Sequence, residues 1–487
     1  MMERQPLKKD LLENKLLLKG LFGNATDFYT KDIELLGIPC CICMFEGLSS
    51  IERLWVMMLD ILSRPTRPIT SAEELFDYIW RQTSIPLESR CVLCVDDARA
   101  QLTAGTSVIL INGVDRALVI STQSMQFRSI QEPSGENNIR GSREGFTELL
   151  RVNISLVRRL IRTDELMVET LTLGERTQTE IALLYNKHLV PAPLLCLVKE
   201  RLRTTKIPFV FDSGYLAAFL QRSRFSFFQA VGYTERPDTA SAKICEGKII
   251  VIVNGSPFAM IIPYFFNENF QSMDDYSEKA YFASLIRIFK YTAFFLAVML
   301  PGVFVSVVNF TPELLPPQLL YKVASAEMAT PLPLFLEAIF VNFLLEIVRE
   351  AGLRLPKPIG HSVSLVAALI VGDAAVSTGI LGTPVVIVAA LTAICTYVVP
   401  SLYEPATALR LLFILVGGLI GPLGIAALTV WMLSSLCGMN TFGIPYLSPI
   451  APAKKAFLMD GIIRNSWKTL AKSDFSVNDL TEPEGKK

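Results

Sequence analysis

The chain has 487 residues, with 46 Lys plus Arg against 46 Asp plus Glu, a formal net charge of zero, 51% hydrophobic and 19% charged residues, and a mean hydropathy of +0.41. A balanced charge leaves no basic footprint for nucleic acid, and a charged fraction below the ~25% of ordinary globular chains excludes a wholly soluble protein. At about 150 residues per domain the length allows about three domains.

The first residues, MMERQPLKKDLLENKLLLKG, lack the apolar core of a signal peptide, so the N-terminal region is expected in the cytoplasm. Of the nine cysteines, Cys91 and Cys94 have the spacing of half a zinc site, yet they lie in an apolar, strand-like run and read as free thiols. Two histidines, His188 and His361, give a metal site or a general base little to work with. Phosphate-binding glycine loops and an ordered Ser/His/Asp set are absent, so neither an enzyme nor a cofactor is expected.

Residues 106–122, TSVILINGVDRALVIST, hold two strand-like runs joined at Asn112-Gly113, and 247–263, GKIIVIVNGSPFAMIIP, repeat the design at Asn254-Gly255. Asn-Gly suits the positive φ angles of a two-residue hairpin turn. Upstream, IPCCICMFEG followed by LSSIERLWVMMLDIL has a counterpart in TEIALLYNKHL followed by PLLCLVKERL. The pattern predicts two related α/β subdomains, within 1–130 and 165–283. Between them, 131–164 holds the linker QEPSGENNIRGSREGF and a connecting helix. Leu150, Ile154, Val157 and Ile161 recur there at helical spacing, and Arg151, Arg158, Arg159 and Arg162 read as a solvated basic face or, alternatively, as an anion- or partner-docking surface.

After about Ser284 come long uncharged runs, and 284–452 reads as a transmembrane helical domain. Tyr291 to Pro312 is a first span. Pro331 to Val348 is a second, carrying Glu337, Asn342 and Glu346. Ser362 to Leu381 is a third, interrupted by Asp373, and Pro384 to Tyr403 is a fourth. The uncharged run between Arg410 and Lys454 holds Gly417, Gly418, Gly421, Pro422 and Gly424, and is either one long tilted helix or two segments. Basic residues at the span ends put the N-terminal region and the tail, 453–487, on the cytoplasmic side. That requires an even number of crossings, so among five or six membrane segments the last is expected to be broken or re-entrant.

Four ordered stretches, RGSREGFTELLRVNISLVRRLIR from Arg140, GYTERPDTASAKICEGKIIVIVNGSPFAMIIP from Gly232, EIVREAGLRLPKPIG from Glu346 and FGIPYLSPIAP from Phe442, resemble the A subunits of the GerA family of spore germinant receptors. The resemblance implies an inner-membrane protein with a cytoplasmic N-terminal domain, acting in nutrient-triggered germination with a transporter-like B subunit and a lipoprotein C subunit. It further implies a homo-oligomer forming a ligand-gated channel for monovalent cations. The chain departs from that family at Gly372-Asp373-Ala374-Ala375-Val376, where members carry a GQAAV-like run, and at His361, where they tend to carry Gln. These departures leave open an altered ion preference or a divergent relative, including the accessory branch of the family; the rival readings are a non-conducting scaffold and a secondary transporter. The transporter lacks the matched broken segments of an inverted repeat.

A carboxylate near the bilayer centre must face protein, water or a partner charge, so Asp373 is either a pore-lining group or a packing residue. Ala368, Gly372, Ala375 and Gly379 fall on one helical face as a small-residue stripe that permits close helix contact in an oligomer. Glu337 reads as an acidic ring at an outer mouth or as a solvated span end. Glu346 and Arg349 read as a structural ion pair with a possible gating role, and Arg410 as an interfacial anchor.

Overall fold

The computed structural model describes residues 5–23, 25–63, 69–81, 90–123, 133, 135, 136, 138, 140–221, 226–355, 369–451, 460–470 and 476–480. The chain opens with α1 (Leu11–Phe22), β1 (Phe28–Leu35), β2 (Ile38–Phe45), α2 (Ile51–Ser63), α3 (Ala72–Arg81), β3 (Arg90–Val92), α4 (Val95–Thr103), β4 (Ser107–Ile111) and β5 (Ala117–Ile120). The strands form one antiparallel sheet in the order β1-β2-β4-β5-β3. Every residue of β4 and β5 is buried, because α1 and α4 cover one face of the sheet while α2 and α3 cover the other. Such double cover is why these strands read as continuous apolar runs and do not alternate.

The design then repeats. A second series runs through α5 (Leu150–Leu160), β6 (Leu166–Leu173), β7 (Thr179–Asn186), α6 (Ala192–Thr204), α7 (Gly214–Leu220), β8 (Gly232–Thr234), α8 (Pro237–Cys245), β9 (Ile249–Val253) and β10 (Ala259–Ile262). Its sheet order, β6-β7-β9-β10-β8, matches the first strand for strand. The Asn-Gly pairs do not make two-residue turns, since Leu110 pairs with Ala117 across a longer loop. The backbone N–H of Asn112 continues the ladder to the Pro39 carbonyl at 3.0 Å, and its side chain accepts from the first helical N–H of α1, at Leu11, at 3.3 Å. Asn254 does the same for Glu180 at 3.0 Å and for Leu150 of α5 at 3.3 Å. The asparagine is therefore a helix cap, worth about 1 kcal/mol, and the following glycine takes its positive φ in both copies. A two-residue turn with both φ positive sits instead at Leu36-Gly37, between β1 and β2.

A buried ion pair joins the two sheets. Arg158 of α5, 2% exposed, donates to both oxygens of Asp27 at 2.6 and 2.8 Å and to the Leu166 carbonyl at 2.9 Å, with its guanidinium 4.5 Å from the Phe45 ring. Arg151 pairs with Glu46 and Arg159 with Glu144. The expected solvated basic face is thus corrected to a joint, because three of its arginines meet carboxylates and one of them is buried with its partner.

The helical half begins with α9 (Asp274–Ser277) and the long α10 (Ala280–Phe310), followed by α11 (Pro317–Ala329), α12 (Leu334–Arg354), α13 (Thr383–Val398), α14 (Tyr403–Leu419) and α15 (Pro422–Gly438). Helix α10 and the stretch Pro400–Leu419 are each long and apolar enough to cross a membrane. α11 and α12 pass the same test together, bent by 80° at their junction, while α13 and α15 are shorter apolar helices. The uncharged run after Arg410 is two helices, interrupted at Gly421, whose φ is +77°. α10 and α14 cross at two glycines, where a Cβ on Gly302 would meet the Phe413 carbonyl oxygen at 2.5 Å.

After α15 the chain returns to the second sheet. Phe442 and Ile444 enter its core, beside Val477 and Leu480 from the tail. The tail also closes over the foot of α10. Fully buried Arg287 donates to Asp275 at 2.6 Å, to the Asp460 carboxylate at 2.8 Å and to the Gly461 carbonyl at 2.9 Å.

Candidate functional site

Three helices of the helical half meet at a polar node. Arg410 of α14 donates to the Glu346 carboxylate of α12 at 2.6 Å and to the Thr396 hydroxyl of α13 at 3.2 Å. The Tyr403 hydroxyl donates to the other Glu346 oxygen. Arg349 lies 3.9 Å from that same oxygen and stacks its guanidinium on the Tyr403 ring. Arg410 is only 4% exposed, which corrects its reading as an interfacial anchor: the guanidinium is held inside the bundle by Glu346 and Thr396. One residue from Tyr403, Glu404 accepts from Gln229 of the sheet-bearing half at 2.7 Å.

Glu337 is 1% exposed, which overturns both a solvated span end and a ring facing an outer mouth. Its carboxylate accepts the backbone N–H of Gly382, the residue capping α13. The unsatisfied amides and dipole at a helix start favour an anion there, so Glu337 acts as a cap supplied from the neighbouring helix.

Asp373 lies in a short π-helical stretch, Ile370–Ala374, followed by one α-turn at Ala375–Ser377. It is exposed, and among the described residues it makes no ion pair and no hydrogen bond. The small-residue stripe does not hold as a single helical face. Ala368 lies outside the described residues, the π turn breaks the 3.6-residue register at Gly372, and Gly379, with φ +72°, ends the helix. Among the described residues a Cβ on Gly372 would meet nothing within 4 Å.

A chamber of about 1140 Å³ lies where the second sheet meets the helical half and the tail, lined among others by Lys243, Lys248, Tyr264, Glu268 and Leu402. Lys243 and Lys248 both pair with Glu268, Lys243 at 2.6 Å, and Lys243 also with Glu246 at 2.9 Å. Burial alone would raise the Glu268 carboxyl, but the two ammonium groups hold it below its usual 4.5. Burial pushes Lys248 down, whereas for Lys243 the nearby Glu246 and Glu268 outweigh burial and hold it well above its usual value. This triad, the Arg287 cluster and the Tyr403 contact were not among the sequence candidates. Partners so distant along the chain leave no spacing signal, and the only local cue is a lone Glu268 within PYFFNENF.

Comparison with known proteins places these features in a family. The family model described as the Bacillus/Clostridium GerA spore germination protein matches residues 17–475. The chain is 34% identical over 473 residues to a Bacillus subtilis protein described as "Uncharacterized membrane protein YfkQ", covering 96% of this chain and 91% of that one. It is 38% identical over 385 residues to spore germination protein KA of Bacillus subtilis, covering 79% and 71%. The crystal structure of the N-terminal domain of the A subunit of the Bacillus megaterium spore germinant receptor GerK3 aligns with 54% of this chain and 98% of its own, at 25% identity and a TM-score of 0.43. The chain belongs to the GerA spore germination family, and its role is in spore germination, at a membrane.

Proposed function

We propose that this chain is the A-type subunit of a germinant receptor, in which copies assemble in the spore inner membrane into a channel for monovalent cations that opens on nutrient binding. In this reading it works with a transporter-like B subunit and a lipoprotein C subunit, and the sheet-bearing half faces the cytoplasm. One observation carries the reading. Residues 369–377 present Leu369, Ile370 and Asp373 outward, with no element among the described residues covering them, and a carboxylate in an apolar run needs water or a partner charge. Residues lining a water-filled path shared by several copies have that environment.

Further support comes from the polar node. Movement of the second sheet reaches Glu404 through Gln229, and from there Tyr403, Glu346 and Arg410, so a shift at the junction can re-pair Glu346 between Arg410 and Arg349. Phe442, Ile444, Val477 and Leu480 pack on the same sheet that leads into α10, which supports a chain that leaves and re-enters one side of the membrane and favours an even number of crossings.

The test is potassium flux from liposomes holding the chain with its B and C partners, with and without candidate nutrients. Nutrient-triggered flux with altered ion selectivity in Asp373→Asn is the expected result. An assembled complex that passes no ions with any nutrient would overturn the channel reading in favour of a non-conducting scaffold.

A further inference from the structure

Helix α2 carries an apolar face that no element among the described residues covers. Ile51, Trp55, Leu59 and Leu62 recur along it at 50%, 60%, 60% and 47% exposure, while Leu54, Met58 and Ile61 on the opposite side pack on the sheet. The duplication supplies an internal control. α6 has the same length and the same place on the second sheet, and the residues at the corresponding positions are Ala192, Cys196, Glu200 and Arg203. A solvated polar face serves the fold there, so the fold does not require Trp55 and Leu59.

The neighbouring helices differ in the opposite sense. α3, beside α2, exposes Glu73, Glu74 and Asp77. α7, beside α6, exposes Tyr215 and Phe219, and Phe209 and Phe211 precede it with ring centroids 5.5 Å apart. One repeat therefore presents an apolar helix next to an acidic one, and the other an aromatic helix next to a basic one bearing Arg203, with Lys206 just beyond it. Among the described residues, Asp77, Arg203 and Lys206 form no ion pair. Laid on each other with the helices crossed over, the two layers match apolar to aromatic and acid to base. A self-paired contact would set the acidic α3 against itself, which is repulsive. Two different, complementary patches on one chain are what a head-to-tail contact between copies uses, and such contacts give rings where the rotation between copies closes.

We propose that the α2 and α3 layer of one copy docks on the α6 and α7 layer of the next, with Trp55 and Leu59 against Phe211 and Phe219, and Asp77 facing Arg203 and Lys206. The occupant of each patch is a second copy of this chain, and the inference rests on the oligomer reading above.

The experiment uses the full chain in membranes, with the exposed Cys196, Cys245 and Cys437 replaced by serine. Leu59→Cys and Phe219→Cys are introduced singly and together, and the membranes are treated with a mild oxidant. The expected result is a ladder of dimer, trimer and higher bands in the double variant and none in either single variant. Adding Arg203→Glu and Lys206→Glu, which sets acid against Asp77, is expected to weaken the ladder about fivefold. A dimer band from Leu59→Cys alone, or no ladder from a chain whose size in detergent is still oligomeric, overturns this surface and leaves the oligomer standing. A chain that is monomeric by size overturns both.

Discussion

At the residue scale, the charges of this molecule separate by how they are compensated. Glu268 is fully enclosed and holds two ammonium groups, and its carboxyl is depressed below its usual 4.5. A carboxyl depressed in the folded state adds stability that is complete above its unfolded value and is lost as pH falls through the folded one. Acid unfolding of the chain in detergent should therefore steepen below about pH 4.5. Glu268→Gln should remove that component and lower stability at neutral pH by about 3–5 kcal/mol, because buried Lys248 then loses its paired carboxylate and Lys243 keeps only Glu246. Thermal unfolding followed across this pH range checks both, and an unchanged acid limb in the variant would remove Glu268 from the account. Arg410 obeys the same logic. The sequence put it at an interface because a lone arginine beside an apolar run reads as an anchor, and only the fold reveals Glu346 64 positions away in the chain.

At the scale of elements, what could be read from the sequence was whatever is local. The repeated hairpins were visible because their apolar runs and Asn-Gly pairs lie within 17 residues of each other. The two-residue turn at Leu36-Gly37 was not, because leucine carries no preference for a positive φ. The break between α14 and α15 was legible in Gly421-Pro422, while the role of Gly302 was not, since its partner Phe413 belongs to another helix. At Gly302 the two backbones approach too closely for any side chain. Gly302→Leu should spread α10 from α14 and cost at least about 1–3 kcal/mol, read as a lower unfolding temperature in detergent. Gly372→Ala, where a Cβ meets nothing, should leave that temperature unchanged. Equal effects from the two substitutions would refute the packing argument for the α10 and α14 crossing.

At the scale of the whole molecule, the chain closes on itself. Residues 460–470 and 476–480 bind the base of α10 and the second sheet, so the sheet-bearing half, the first long helix and the tail form one unit. Arg287 is its centre, drawing on Asp275 from before α10 and on Asp460 and Gly461 from the tail. Tyr276 and Gln271 reach Asp460 as well, at 2.6 and 2.7 Å. Asp460→Ala leaves the buried guanidinium with Asp275 and loosens the joint through which motion of the sheets would pass to the helices. Amide exchange in residues 271–290 should then rise, since local opening tracks the stability of the contacts that close it, while exchange in β4 and β5, far along the chain from this joint, stays slow. If exchange around α9 and the start of α10 is the same in Asp460→Ala as in the parent chain, the tail does not clasp the joint, and coupling between the halves must run through other contacts, among them Gln229 with Glu404 and Phe442 in the second-sheet core.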